Sequence, residues 1–172
     1  MTPLPGVLGG KELVAWRLDQ APYAPAWDSG EGAFRCGGRW NSAGVRAVYC
    51  SIDPATAILE MAVHKTFKAL DTVPHVITEM GITEPSKAHP IFPADIPNAN
   101  WLTPGIPSAG QQAFGDALLR THQFIIIPSA VSRESWNLIF IKARTVGAYS
   151  CKSQKQFALD TRLHPPTPAR AP

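Results

Sequence analysis

The sequence predicts an α+β fold in one domain, short mixed strands with a few helices packed against them, and three observations predict it. Short apolar runs of strand type recur in separate parts of the chain. Two other stretches carry apolar residues at helical spacing behind a capping residue. The length, 172 residues, suits one hydrophobic core and is short for two. Hydrophobic residues make up 45% and charged residues 17%, an ordinary globular balance. Strands and helices drawn from alternating parts of a chain pack in layers around such a core.

The elements follow in order. Residues 14–18 (Val14-Ala15-Trp16-Arg17-Leu18) read as a strand, and residues 21–38, rich in Gly and Pro, as a long loop. Gly37-Gly38-Arg39-Trp40-Asn41, the turn Ser42-Ala43-Gly44 and the run 45–50 suggest a hairpin. The clearest helix start comes next. Ser51 or Asp53 can cap free N–H groups, and Pro54 suits a first turn, where its missing donor does no harm. Ile58, Leu59, Ala62 and Val63 then form an apolar stripe. Residues 75–80 read as a strand and 85–107 as a proline-rich loop. A second helix, about 108–121, is expected to turn Ala113, Ala117 and Leu118 inward, with Gly115 weakening its continuity. Residues 124–128 and 136–141 read as buried strands. The domain takes in residues 1–163, and residues 164–172, dense in proline, form a tail without helix or ladder.

Composition narrows the function classes. No window approaches the roughly 18 apolar residues of a bilayer helix, so no membrane association is expected. The first residues show no secretory pattern, which points to the cytoplasm. Cys36, Cys50 and Cys151 are odd in number and form no C-x-x-C pair, so three reduced thiols are expected, with neither a disulfide framework nor a metal site. Much of the excess behind the net charge of +3 sits late in the chain (Arg144, Lys152, Lys155, Arg162, Arg170), and there is no clustered basic stripe of a nucleic-acid binder.

Four features ask for more than packing. Paired glycines beside Arg39 allow close backbone approach, and the arginine offers a planar fork for phosphate; the alternative is a hairpin entry with a surface arginine. Tyr49, directly before the helix cap, presents a flat ring to an aromatic ligand or belongs to the core. Glu60 and His64 share a helix face, with Glu60 at the border of the apolar stripe, half-buried in a cleft or simply solvated. Ser129, after the isoleucine-rich strand, and Asn137, eight residues on, line a site or begin a turn. No nucleophile elbow surrounds Ser129.

Together these features resemble the RES family, the toxin halves of bacterial RES–Xre toxin–antitoxin pairs, which takes its name from an arginine, a glutamate and a serine. Here they are Arg39 in Gly37-Gly38-Arg39-Trp40-Asn41, Glu60 in Leu59-Glu60-Met61-Ala62-Val63-His64, and Ser129 in Ile127-Pro128-Ser129-Ala130-Val131. Tyr49 lies between the first two at a similar spacing. Trp16-Arg17, Gly30-Glu31-Gly32-Ala33 and residues 157–163 are further matches, so the resemblance spans about 14–163. One departure stands out: after Asn137 the family usually has a second asparagine, a proline and a nearby histidine, where this chain has Ile141-Lys142-Ala143-Arg144.

The resemblance implies a fold like that of ADP-ribosylating toxins, and action on NAD⁺ as substrate without a metal. Cleaving the nicotinamide–ribose bond leaves an oxocarbenium-like sugar, which a carboxylate stabilises, and Glu60 takes that role. Arg39 would grip the pyrophosphate or an adjacent ribose, with Arg17 a second candidate for the phosphates. Tyr49 would stack on nicotinamide, and Ser129 and Asn137 would orient that half of the substrate. Water, inorganic phosphate or a protein side chain are alternative acceptors, giving a glycohydrolase, a phosphorylase or an ADP-ribosyltransferase; NAD⁺ degradation is favoured, because depletion alone arrests growth. A nucleic-acid-directed toxin is the rival from another class. The implied partner is an Xre-type antitoxin, and the choice between monomer and homodimer stays open.

Overall fold

The computed structural model describes residues 12–105, 107–160 and 162. The proline-rich tail predicted for 164–172 lies outside them. One mixed sheet of seven strands organises the molecule, in the order β4-β5-β6-β2-β1-β3-β7. The strands are β1 (Leu13–Gln20), β2 (Ala47–Ser51), β3 (His75–Ile82), β4 (Ala88–Pro90), β5 (Phe124–Pro128), β6 (Trp136–Ile141) and β7 (Tyr149–Phe157). Only β4 and β5 run parallel; the other neighbours are antiparallel. Among the described residues three α-helices accompany them: α1 (Glu31–Cys36), α2 (Pro54–Thr72) and α3 (Ala109–Thr121).

The core follows the strand period of two. Phe124 and Ile126 join Val48, Cys50, Leu138 and Phe140 in one apolar cluster, while Ile125 and Ile127 point the other way, into a cluster with Trp40, Trp101 and Leu119. Each such side chain taken fully out of water is worth about 1.5–3 kcal/mol, so β5 and β6, buried along nearly their whole length, anchor the domain. A third cluster, Leu18, Ala62, Leu70 and Leu159, seats α2 beside β1.

Several expectations need correction. The stretch 21–38 holds a 3-10 turn (Ala21–Ala26) and α1. The expected hairpin is absent: Gly38 and Asn41 form only an isolated bridge, and β2 pairs with β6 and β1. Asp53, not Ser51, caps α2, but its buried positions are Thr56, Ala57, Ala62 and Leu70, while Leu59 and Val63 are 37% and 64% exposed. Helix α3 buries Gln111, Gly115, Asp116 and Leu119 and turns Ala113 and Ala117 outward. It runs unbroken through Gly115, where a Cβ would lie 2.0 Å from the Trp40 carbonyl oxygen; the glycine lets the helix touch that backbone. The proline-rich stretch contains β4, and Pro90 is tolerated there because β4 is an edge strand.

The middle of the sheet is its weakest seam. β1 meets β2 through a single register pair, Trp16 opposite Ser51, whereas β1 matches β3 over eight. The candidate site residues gather around this seam.

Candidate functional site

A cavity of about 660 Å³ opens at the seam, and Arg17, Arg39, Tyr49, Glu60 and Asn137 all line it. They come from β1, the segment before β2, β2 itself, α2 and β6, so the sheet and one helix bring together residues far apart in the chain.

Glu60 stands on the cavity face of α2 with Ala57, Met61 and His64. That helix is held at its start. The Asp53 carboxylate accepts hydrogen bonds from the Thr56 N–H and hydroxyl, both at 2.7 Å, and from the Ser135 hydroxyl. Burial works to raise the Asp53 carboxyl, but these bonds outweigh it and leave it below its ordinary value. Two turns on, Glu60 Oε1 accepts from Ser129 Oγ at 2.8 Å and from Asn137 Nδ2 at 2.6 Å.

Both donors are themselves oriented. Ser51 Oγ donates to Asn137 Oδ1 at 2.9 Å across the β2–β6 pair, which turns the amide's N–H toward Glu60. Ser129 Oγ accepts from the N–H groups of Val131 (3.2 Å) and Ser132 (3.0 Å), so its own proton goes to Glu60. The described bonds take one carboxylate oxygen and leave acceptor capacity for a ligand.

Of the two readings left open for Ser129, the structure shows the turn, which its hydroxyl opens by accepting the Val131 and Ser132 N–H groups. Ser129 is fully buried, does not line the cavity, and sits behind Glu60. His64, one turn beyond Glu60, is an exposed residue of the cavity wall, while the Glu60 carboxylate turns to the serine and asparagine.

The opposite wall is built around Asn41, which the sequence reading passed over. Fully buried, it donates from Nδ2 to the carbonyls of Ala33, Ser42 and Val45 and accepts the Tyr49 hydroxyl at 2.7 Å on Oδ1. The Tyr49 oxygen also accepts the Trp40 N–H at 3.0 Å. Burial pushes the Tyr49 phenol well above its ordinary value, with the charges of Asp116 and Glu60 adding to the shift, so it is a neutral phenol across the physiological range. Gly38 serves this arrangement: a Cβ there would meet Asn41 Oδ1 at 2.6 Å and the Tyr49 hydroxyl at 2.7 Å. Helix α3 braces the segment, with Gln112 donating to the Gly38 carbonyl and Asp116 accepting the Ser42 N–H.

The two arginines differ in state. Arg17 makes a two-pronged ion pair with Asp19 and donates from Nη1 to the Tyr49 carbonyl at 2.9 Å, a donor across the gap where the β1–β2 ladder has ended. Arg39 donates to the carbonyls of Trp101 (2.6 Å) and Thr103 (3.4 Å), neutral partners that leave its charge uncompensated. Among the described residues no three His, Cys, Asp or Glu side chains converge as a metal site, and the three thiols are free, with Cys36 on the cavity wall. No helix of the described residues is long and apolar enough to cross a membrane.

Fold and cleft together define a single-domain α+β protein with a cavity at the middle of its sheet. The chain belongs to the RES domain family, whose model matches residues 14–162. It is 28% identical over 155 residues to Toxin Res of Photorhabdus laumondii, covering 88% of this chain and 97% of that protein. It is 30% identical over 156 residues to Toxin Res of Pseudomonas putida, covering 88% and 99%. Among solved structures, a chain of the M. tuberculosis MbcT–MbcA toxin–antitoxin complex shares the fold, with a TM-score of 0.70 at 19% identity over 86% of this chain and 85% of that one.

Proposed function

We propose that this chain is the toxin of a bacterial toxin–antitoxin pair and that it breaks NAD⁺ at the nicotinamide–ribose bond. The observation that carries this reading is the Glu60 carboxylate, fixed by Ser129 and Asn137 at the wall of a cavity that Arg39 also lines. Loss of nicotinamide leaves positive charge on the ribose. A carboxylate already locked in place stabilises that charge as it develops, without reorganising during the reaction. Glu60 is the catalytic residue in this scheme, and Ser129 is a positioning residue. Asn137 lines the cavity and holds Glu60, so it also has reach to the nicotinamide half. The Tyr49 ring offers a stacking face, its hydroxyl being engaged with Asn41 and Trp40. Arg39 binds a phosphate.

The names of the two relatives support the toxin role, and the M. tuberculosis complex supports an antitoxin partner. An Xre-type antitoxin that closes the cleft is the partner this reading implies. The test is incubation of the purified protein with NAD⁺, with and without inorganic phosphate, and identification of the products by mass; these also name the acceptor. Glu60→Gln keeps the shape and removes the charge, and nicotinamide release should fall at least about a hundredfold, the scale of losing one electrostatic stabiliser of a transition state. Near wild-type turnover in that variant would sink the mechanism.

A further inference from the structure

The charged side chains around the cavity are not equivalent. Arg17, Arg39 and Lys65 line it, with Glu60 as the carboxylate and His64 beside it. Arg17 is compensated by Asp19, which takes both its Nε and an Nη. Its remaining described bond goes to the Tyr49 carbonyl. Among the described residues two cations have no carboxylate partner: Arg39, whose described bonds go to backbone carbonyls, and Lys65. NAD⁺ carries two phosphates and one positive ring. A carboxylate for the ribose, where positive charge develops on cleavage, and two cations for the phosphates fit such a ligand, and Arg17 is not one of the two.

Glu60 and Lys65 lie five residues apart on α2, about 7.5 Å along the axis and about 140° round it, and both line the cavity. A third observation is local strain. Thr66, immediately after Lys65, has φ 69° and ψ 153° and kinks the helix. A β-branched residue in a region that glycine alone adopts readily stores roughly 1–3 kcal/mol, and such strain gathers at ligand clamps.

We infer that Lys65 is the second phosphate contact of this site, in place of Arg17, and that it gives the site its preference for a dinucleotide over an unphosphorylated nucleoside. The inference rests on the NAD⁺ reading. It concerns substrate binding, so its signature is in KM.

The experiment compares NAD⁺ with nicotinamide riboside, which has the scissile bond and no phosphate, using the purified full chain as wild type, Lys65→Met, Lys65→Gln and Lys65→Arg. Lys65 is exposed, so the fold does not depend on it, and the two neutral variants check each other. The neutral variants should raise the KM for NAD⁺ about tenfold with kcat within about twofold, the scale of one charge-assisted hydrogen bond. Their ratio of kcat/KM for NAD⁺ over nicotinamide riboside should fall by about the same factor, and Lys65→Arg should restore it. Added salt should raise the wild-type KM more steeply than that of Lys65→Met. An unchanged KM, or an equal loss on both substrates, overturns the inference while leaving NAD⁺ cleavage standing. A wild type that releases no nicotinamide from NAD⁺ overturns both.

Discussion

At the scale of the residue, one hydroxyl decides how Glu60 is presented. Ser129 has one proton and two lone pairs; two backbone N–H groups take the lone pairs and Glu60 takes the proton. Ser129→Ala therefore orphans two N–H groups and frees the carboxylate to rotate. It should destabilise the fold by about 1–3 kcal/mol, and lower kcat for NAD⁺ more than it raises KM. Thermal melts and initial rates on one preparation check this; an unaltered kcat would show that Asn137 alone positions Glu60. The sequence placed Ser129 at the end of a buried strand, and that much holds. Which way a hydroxyl turns depends on the N–H groups of the following turn, and no spacing reveals it. Asn41 was harder still, because its bonds reach Ala33, Val45 and Tyr49, partners brought near only by the fold.

At the scale of the element, helix α2 shows what local chemistry encodes. Its start was readable because Asp53 before Pro54 is a cap with its own physics. Its kink was not, since Thr66 is neither glycine nor proline. Glycine at 66 adopts the observed backbone freely. Relief of roughly 1–3 kcal/mol of strain exceeds the 0.4–1 kcal/mol or so that glycine's extra unfolded freedom takes back. Thr66→Gly should accordingly raise the melting temperature, and a lowered one would mean the helix wants its side chain there. The cap also gives the helix a pH dependence. Asp53's folded pKa lies below its ordinary value of 3.8, so its stabilisation is fully present above that value and is lost as pH falls through the folded one. Asp53→Asn should flatten the acid limb of stability below about pH 4, as read by denaturant melts across pH; a limb as steep as wild type would place the acid sensitivity elsewhere. Strand β7 escaped notice for a different reason. As an edge strand it is largely exposed and lacks the apolar alternation that announced β5 and β6.

At the scale of the whole molecule, the cavity draws on β1, the segment before β2, β2, β6 and α2, and it opens to the outside. Two cations at its wall attract an acidic segment of a partner as readily as a phosphate. Expression of this chain alone should arrest a bacterial host, with intracellular NAD⁺ falling before growth stops, and co-expression of an Xre-type partner should prevent both. Timed NAD⁺ measurement decides the matter: arrest with NAD⁺ unchanged would indicate modification of a specific protein, and no arrest would argue against a toxin.

The distance in sequence between Glu60 and its two holders has a consequence for the chain as it is made. Asn137 follows Glu60 by 77 residues and Ser129 by 69. At a synthesis rate of about 5–20 residues per second, Glu60 leaves the ribosome roughly 4–15 seconds before the groups that aim it. The nascent polypeptide thus carries Glu60, Arg17, Arg39 and Lys65 before Ser129 and Asn137 exist to hold the carboxylate. Glu60 gains these two holders only once the turn after β5 and strand β6 have docked.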